Sequence, residues 1–259
     1  MRVAWAVAGS VLREVVRRKI FYGVVLFAVV MILLVPALPS SGVGVQVQLL
    51  REACLGLTAL MAALLAILLG CSILPGEFER RTIYNTLSKP VRRSTYYLGK
   101  FFGLAITLFI VLAAVFAIML TLIYAKFGLF NPGLGKAIFG IYLESLVLAA
   151  LALLASIYLS PVPAFFTGVL FYVVCHVKAD FLYRAMTNSA NVPPLRAISA
   201  VFYYALPNLE RFNLNETIAH SEQVFRVGAG TMLFLLGLAV VFAGALLLGG
   251  IGLFRRKEF

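Results

Sequence analysis

The sequence predicts an all-α polytopic membrane protein, and three observations lead to that fold class. The chain has 259 residues, of which 63% are hydrophobic, and its mean hydropathy is +1.02. Soluble domains are only about half apolar. Several apolar runs reach the roughly 20 residues that a helix needs to cross about 30 Å of hydrocarbon. The alternating pattern of a transmembrane β-barrel is absent from these runs.

Residues 1–19 form the first predicted element, an amphipathic helix that lies in the membrane interface. At about 100° per residue, Val3 and Val7 share one face of this helix, and Arg13 and Arg17 share the other. The cationic face suits anionic lipid on the cytoplasmic side. The apolar run that follows lacks a small-residue cleavage site, so we expect the first span to be retained.

Six membrane spans follow in the predicted order. They cover residues 20–38, 53–74, 101–125, 138–159, 162–177 and 228–253. The fifth is short, since roughly 16 residues reach only about 24 Å, and we expect it to extend through Tyr183 or to lie tilted. Residues 178–227 are interrupted by Pro193-Pro194 and Pro207-Asn208, which predicts a small helical segment outside the membrane.

Lysine and arginine residues determine the predicted orientation. Fourteen of the 22 lie before the first span, between the second and third spans, or after the last span. The positive-inside rule therefore predicts that both termini are cytoplasmic and that residues 178–227 are extracytoplasmic. Because these bases cluster at the ends of spans, the net charge of +12 reflects topology, and no nucleic-acid partner is predicted.

No motif for catalysis or nucleotide binding occurs in the sequence. Gly99-Lys100 and Gly135-Lys136 lack both the upstream glycine and the following Ser or Thr of a phosphate-binding loop. His176 and His220 are 44 positions apart, and no acid/base cluster appears at functional spacing. We therefore predict that this chain is not an enzyme and binds no cofactor.

The three cysteines lie within apolar runs and are Cys54, Cys71 and Cys175. They lack CxxC spacing, so we predict that they are buried as small apolar residues. Cys175-His176 could combine with Met186 and His220 into a soft metal site of the kind that copper favours. No spacing requires such a site, so we predict no metal and an interfacial position for His176.

Two features inside the spans concern packing. Ala62, Ala66 and Gly70 form a ridge of small residues that allows close helix approach, either within the chain or between two copies. Glu144 lies about six residues inside the fourth span and should face protein or a water-filled cavity. We favour a packing partner such as Lys136 or a tyrosine, and the alternative is a place in a substrate path.

The connector of residues 76–100, called the island here, contains two acids and six bases. Glu77 and Glu79 suit the start of a helix, and Pro90 ends the segment, so we predict a cytoplasmic helix over residues 77–87. Its apolar groups have no soluble domain to pack on, which predicts a docking surface for a protein; the alternative is a helix on the lipid surface. The predicted contact residues are Glu77, Phe78, Glu79, Arg80, Arg81, Thr82, Ile83, Tyr84 and Leu87.

These features together resemble the permease subunits of ABC-2 type transporters. The resemblance rests on the amphipathic start, the six spans, the basic tail of residues 254–259 and a motif within the island. That motif consists of Gly76, Glu77, Glu79, Thr82, Ser88-Lys89-Pro90-Val91, Arg93, Tyr96 and Gly99-Lys100. Residues 205–214 also resemble the subgroup related to the copper-enzyme maturation permease NosY.

The resemblance implies a single permease domain over residues 1–259 in the inner (cytoplasmic) membrane. Two copies would pair, as a homodimer, and each would rest on an ATP-binding-cassette subunit that holds ATP and Mg and supplies the ATPase activity. Residues 77–87 would be the coupling helix and residues 1–19 the elbow helix. The chain would then move a substrate across the membrane, or would serve as a non-transporting anchor that links the ATPase to an extracytoplasmic protein.

Overall fold

The computed structural model describes residues 43–79, 93–128, 133–188, 207–214 and 228–256, together with positions 9, 29, 30 and 33. Within these ranges all regular structure is helical. A short 3-10 helix, Leu209–Phe212, precedes the last long helix. The long helices are α1 (Val43–Glu79), α2 (Arg93–Phe127), α3 (Leu134–Ala155), α4 (Pro161–Asn188) and α5 (Ala229–Arg256).

Four of these helices, α1, α2, α3 and α5, are long and apolar enough to cross a membrane. They confirm the second, third, fourth and sixth predicted spans as apolar membrane helices. In α4 the apolar part is Pro161–His176, which coincides with the short fifth span. The first span and the amphipathic helix of residues 1–19 lie outside the described residues, apart from positions 9, 29, 30 and 33, which are helical.

Two helices begin earlier than hydropathy predicted. α1 starts at Val43, ten residues before the predicted span, and α2 starts at Arg93, eight residues before. Hydropathy drops at charged residues, but a helix continues through them because its backbone hydrogen bonds are internal. Within the early part of α1, the Gln48 side-chain amide donates to the Glu52 carboxylate one turn away at 3.2 Å.

α4 extends beyond the predicted bounds of the fifth span. The helix has 28 residues, about 42 Å, and ends at Asn188, so it continues past residue 177 and through Tyr183, which was one of the two expectations for this span. Charged residues ended the hydropathy window, but residues 177–188 contain neither Gly nor Pro to stop a helix. α3 ends four residues early, at Ala155, because a turn at residues 156–160 leads into Pro161.

α3 is the central helix of the described bundle. It packs against all four other long helices and against the 3-10 helix. Of the 18 most apolar consecutive residues of α3, 72% are buried inside the chain, compared with 22% for the corresponding residues of α5. A helix that is apolar on all sides is suited to such a position, whereas the outward faces of α5 are suited to lipid.

Small residues bring α1 and α3 together. A Cβ atom added at Gly70 of α1 would lie 2.6 Å from the Cβ of Ala152 and 3.1 Å from the carbonyl oxygen of Ala149. Ala62 and Ala66, which share the ridge with Gly70, are also buried within the chain. Of the two roles considered for this ridge, the structure therefore supports packing within the chain.

We expect the substitution Gly70→Ala to destabilise the bundle. The added methyl group would force α1 and α3 apart, and overpacking of this kind costs about 1–3 kcal/mol. Gly56→Ala is the matched control, since nothing lies within 4 Å of a Cβ there and both changes have the same effect on helix propensity. Thermal unfolding of the detergent-purified proteins measures the difference, and equal melting temperatures would contradict the close contact.

Candidate functional site

The start of α2 and the end of α5 are joined by an aromatic cluster, called the tail contact here. The rings of Tyr96 and Phe254 stack with their centroids 6.0 Å apart, and the Tyr97 centroid lies 5.8 Å from that of Phe254. The Lys100 ammonium lies 5.5 Å from the centroid of the Tyr96 ring, in a cation–π arrangement. All four side chains are buried. The cluster therefore fixes the last turn of α5 against the first two turns of α2.

Two further interactions support the tail contact. The Arg93 guanidinium donates a hydrogen bond to the carbonyl oxygen of Arg255 at 3.3 Å. Gly250 lies directly against the Tyr97 ring, at a position where a Cβ atom would overlap it. The end of the island and the basic tail, which are more than 150 residues apart in sequence, thus meet at one end of the bundle.

The beginning of the island does not form the predicted separate helix. The backbone of Glu77, Phe78 and Glu79 continues α1, which contains Pro75 and runs without interruption to Glu79. The predicted helix start at Glu77 is therefore wrong, because no break precedes these residues. Arg80, Arg81, Thr82, Ile83, Tyr84 and Leu87 lie outside the described residues. The contact role of this segment stays a prediction.

A buried polar pair connects α3 to α4. Glu144 of α3 is 3% exposed, and its Oε1 lies 3.5 Å from Nε2 of His176 in α4. Nδ1 of His176 lies 3.1 Å from the carbonyl oxygen of Tyr172, and the two rings are in contact at a centroid distance of 4.3 Å. Glu144 therefore faces protein, as predicted.

His176 packs against Tyr172 and lies beside Glu144, and α4 continues twelve residues beyond it. Its position at the membrane interface stays a prediction. All three cysteines are buried, which confirms their predicted packing role. Among the described residues, no group of three or more His, Cys, Asp or Glu side chains is arranged to hold a metal ion. His220 lies outside that set.

Residues 207–214, called the docked segment here, pack onto the bundle at the end opposite the tail contact. Leu209 and Phe212 are fully buried, and the Asn208 side chain accepts a hydrogen bond from the Glu210 amide at 3.2 Å. A Cβ atom at Gly140 of α3 would lie 2.5 Å from the Phe212 carbonyl oxygen. This part of the predicted extracytoplasmic segment is therefore fixed on α3 and α4.

A comparison with protein families matches residues 5–258 to the family described as ABC-2 family transporter protein. The chain belongs to this family. No curated protein matches the chain significantly. Membership in the ABC-2 transporter family and the several apolar helices together make the chain a multi-pass membrane protein.

The match covers nearly the whole chain, so both the tail contact and the docked segment lie within the ABC-2 transporter region. The predicted resemblance is confirmed at the level of the family. The resemblance to the NosY-related subgroup stays a prediction.

Sequence reasoning missed the partner of Glu144 and all of the tail contact. Tyr96 lies one turn before Lys100, and Gly250 lies one turn before Phe254, so each half of the tail contact has its own i,i+4 pattern. Such patterns identify a face of a helix. They do not identify the face of a distant helix that covers it.

We expect Gly140→Ala to weaken the attachment of the docked segment. The new methyl group would meet the Phe212 carbonyl oxygen, and overpacking by about 1–3 kcal/mol corresponds to roughly 5- to 150-fold faster local opening. Hydrogen–deuterium exchange of the amides in residues 207–214 measures this change. Gly135→Ala is the control, because a Cβ there would make an ordinary contact with Phe116 at 3.7 Å. Equal exchange in both variants would refute the close contact.

Proposed function

We propose that the chain is the permease subunit of an ABC-2 type transporter that couples ATP hydrolysis by a separate subunit to movement of a substrate across the membrane. The family match over residues 5–258 is the observation that carries this proposal. Family membership also supports a location in the cytoplasmic membrane of the cell and the pairing of two copies as a homodimer.

The source of the ATP chemistry follows from the sequence. Gly99-Lys100 and Gly135-Lys136 do not complete a phosphate-binding loop, so ATP and Mg would be held by the partner subunit. ABC-2 permeases typically act with such an ATPase subunit. In this proposal, the chain contributes the membrane path and the surface on which the ATPase rests.

The distribution of charge and the tail contact support the proposed orientation. The Arg93–Arg255 hydrogen bond joins the end of the island to the tail, and these are two of the three basic clusters in the short segments. Their common position at one end of the bundle agrees with a cytoplasmic location for that end. The docked segment, at the other end, would then face the extracytoplasmic side.

Coupling would pass through the island. Residues 77–87, which include the last three residues of α1, would rest in a groove of the ATPase subunit as a coupling segment. Because the tail contact fixes α5 to the first turns of α2, a push on the island would move α2 and α5 together. Rigid-body motion of packed helices of this kind would alternate access to a path between two copies.

A second function is supported by the docked segment and by the resemblance of residues 205–214 to the NosY-related subgroup. Glu210 and Arg211 are exposed on a backbone that is held by the buried Leu209 and Phe212. An ordered polar surface of this kind suits an extracytoplasmic protein. The chain would then be an anchor that transmits ATP-driven motion to that protein without transporting a small molecule.

The ATPase partnership is tested by purifying the chain from its native cell in mild detergent and identifying the proteins that remain bound. We expect an ATP-binding-cassette subunit. The double variant Glu77→Ala and Phe78→Ala should lower its recovery by about tenfold or more, because interface anchors typically contribute 2 kcal/mol or more. Tyr124→Ala, an exposed aromatic truncation near the other end of α2, is the matched control.

The two functions are distinguished by replacing residues 189–206 with a flexible linker of equal length. Loss of a bound extracytoplasmic protein with ATPase association retained would favour the anchor. Altered stimulation of ATPase activity by a small molecule would favour transport. Recovery of the chain without any ATPase subunit would contradict both functions.

A further inference from the structure

The pair of Glu144 and His176 has no part in the proposed coupling to the ATPase, and its geometry requires an explanation. The Glu144 side chain is 4% exposed, and its Oε1 has no hydrogen-bond partner among the described residues although Nε2 of His176 lies at 3.5 Å. Buried polar atoms are normally hydrogen-bonded, and carboxylates inside membrane spans are costly. The protonation states of the two side chains account for this arrangement.

The other ring nitrogen determines the tautomer of His176. Nδ1 lies 3.1 Å from the Tyr172 carbonyl oxygen, which can only accept a hydrogen bond. Nδ1 therefore carries a proton. In a neutral imidazole, Nε2 is then an acceptor with a free lone pair, and it faces Oε1 of Glu144, which is also an acceptor when ionised.

Two acceptors facing each other in a buried contact repel, so the contact is favourable only when it holds a proton. The proton lies either on Nε2, which gives an imidazolium beside a carboxylate, or on Oε1, which gives a neutral imidazole beside a carboxylic acid. In both forms the pair is neutral overall. Loss of the proton leaves a net charge of −1 in the contact between α3 and α4, which is unfavourable because Glu144 is buried.

Three ionisable side chains, Glu210, His176 and Glu144, decrease in exposure from the surface to the buried pair. Glu210 is exposed on the docked segment and acts electrostatically on His176. The side chain of His176 is 24% exposed, and that of Glu144 only 4%. Ionisable side chains in such an order are typical of proton pathways in membrane proteins.

We propose that Glu144 and His176 form an exchangeable-proton site between α3 and α4, loaded from the end of the bundle that carries Glu210. The ligand is a single proton, which passes between the Nε2–Oε1 contact and water and leaves no other bond changed. The charge of the pair alternates between 0 and −1. Because the pair joins two helices, its protonation sets how tightly α3 and α4 pack at this level. The proposal does not depend on the ATPase partner.

Other titratable groups surround the pair. Tyr172 lies against His176, and Glu144 acts electrostatically on Tyr172. The Tyr142 hydroxyl, on the same helix as Glu144, donates to the Ala105 carbonyl oxygen at 3.3 Å. The remaining charged residues on the described helices lie in their first or last few turns. They are Arg51, Glu52, Glu77 and Glu79 of α1, Arg93, Lys100 and Lys126 of α2, Lys136 of α3, Lys178, Asp180 and Arg184 of α4, and Arg255 and Arg256 of α5.

Nitrogen NMR of histidine tests the proposal, because the sequence contains only two histidines. The protein is labelled with ¹⁵N-histidine and ¹³C-glutamate, carries a tag without histidine, and has the substitution His220→Gln, so that His176 gives the only histidine signals. Spectra are recorded in lipid from about pH 5 to about pH 9, a range that brackets ordinary histidine titration. We expect a protonated Nδ1 throughout and an Nε2 signal that titrates together with one glutamate carboxyl.

Three variants test whether the titration belongs to the Glu144–His176 pair or to other groups. Glu144→Gln should abolish the shared titration, because the amide donates to Nε2 and the proton is no longer needed. Glu210→Gln should shift the titration midpoint without abolishing it, and Glu52→Gln should leave it unchanged. In the parent protein, an Nε2 signal of free imidazole at every pH would overturn the proposal, even if the variants fail to fold. A titration that is unchanged in Glu144→Gln would also overturn it.

Discussion

The close approach of α3 to its neighbours is the contact on which the rest of the structure depends. In hydrocarbon no hydrophobic force drives helices together, so association relies on van der Waals contact at short range. Small residues permit that range: Gly70 lies against Ala149 and Ala152, and Gly140 lies against the docked segment. With α3 fixed at the centre, its side chains must face protein on most sides, and Glu144 is therefore buried although it is a carboxylate.

The same packing explains how the least buried helix is held. α5 buries few of its apolar side chains, yet each of its ends is attached through an aromatic residue. Phe254 is stacked in the tail contact at one end, and Phe234 lies 6.0 Å below the Arg211 guanidinium of the docked segment at the other. α5 is thus tied to the start of α2 and to the docked segment. A displacement of either would reach α5 directly, which is what a transporter that moves helices as rigid bodies requires.

Much of the fold could be predicted from sequence, and the reasons are physical. Apolar length identifies a membrane helix because the bilayer has a fixed thickness, and four predicted spans correspond to α1, α2, α3 and α5. Boundaries were less accurate, since a helix continues through residues such as Lys100 whenever its backbone bonds are satisfied and tertiary contacts bury the side chain. The predicted helix start at Glu77 was wrong for a related reason. Glu77 suits the first turn of a helix, but α1 continues through the preceding Pro75.

The sequence by itself determined the class of the molecule: apolar runs make it a multi-pass membrane protein, and the family match over residues 5–258 places it among ABC-2 family transporter proteins. It also determined that Glu144 must face protein or a water-filled cavity, because solvation energy depends on residue type and depth in the membrane. Only the tertiary structure decided which residues meet. The pairing of Glu144 with His176, and of Phe254 with the start of α2, depends on the rotation and register of helices. Those are set by steric fit over the whole bundle, which no local pattern contains.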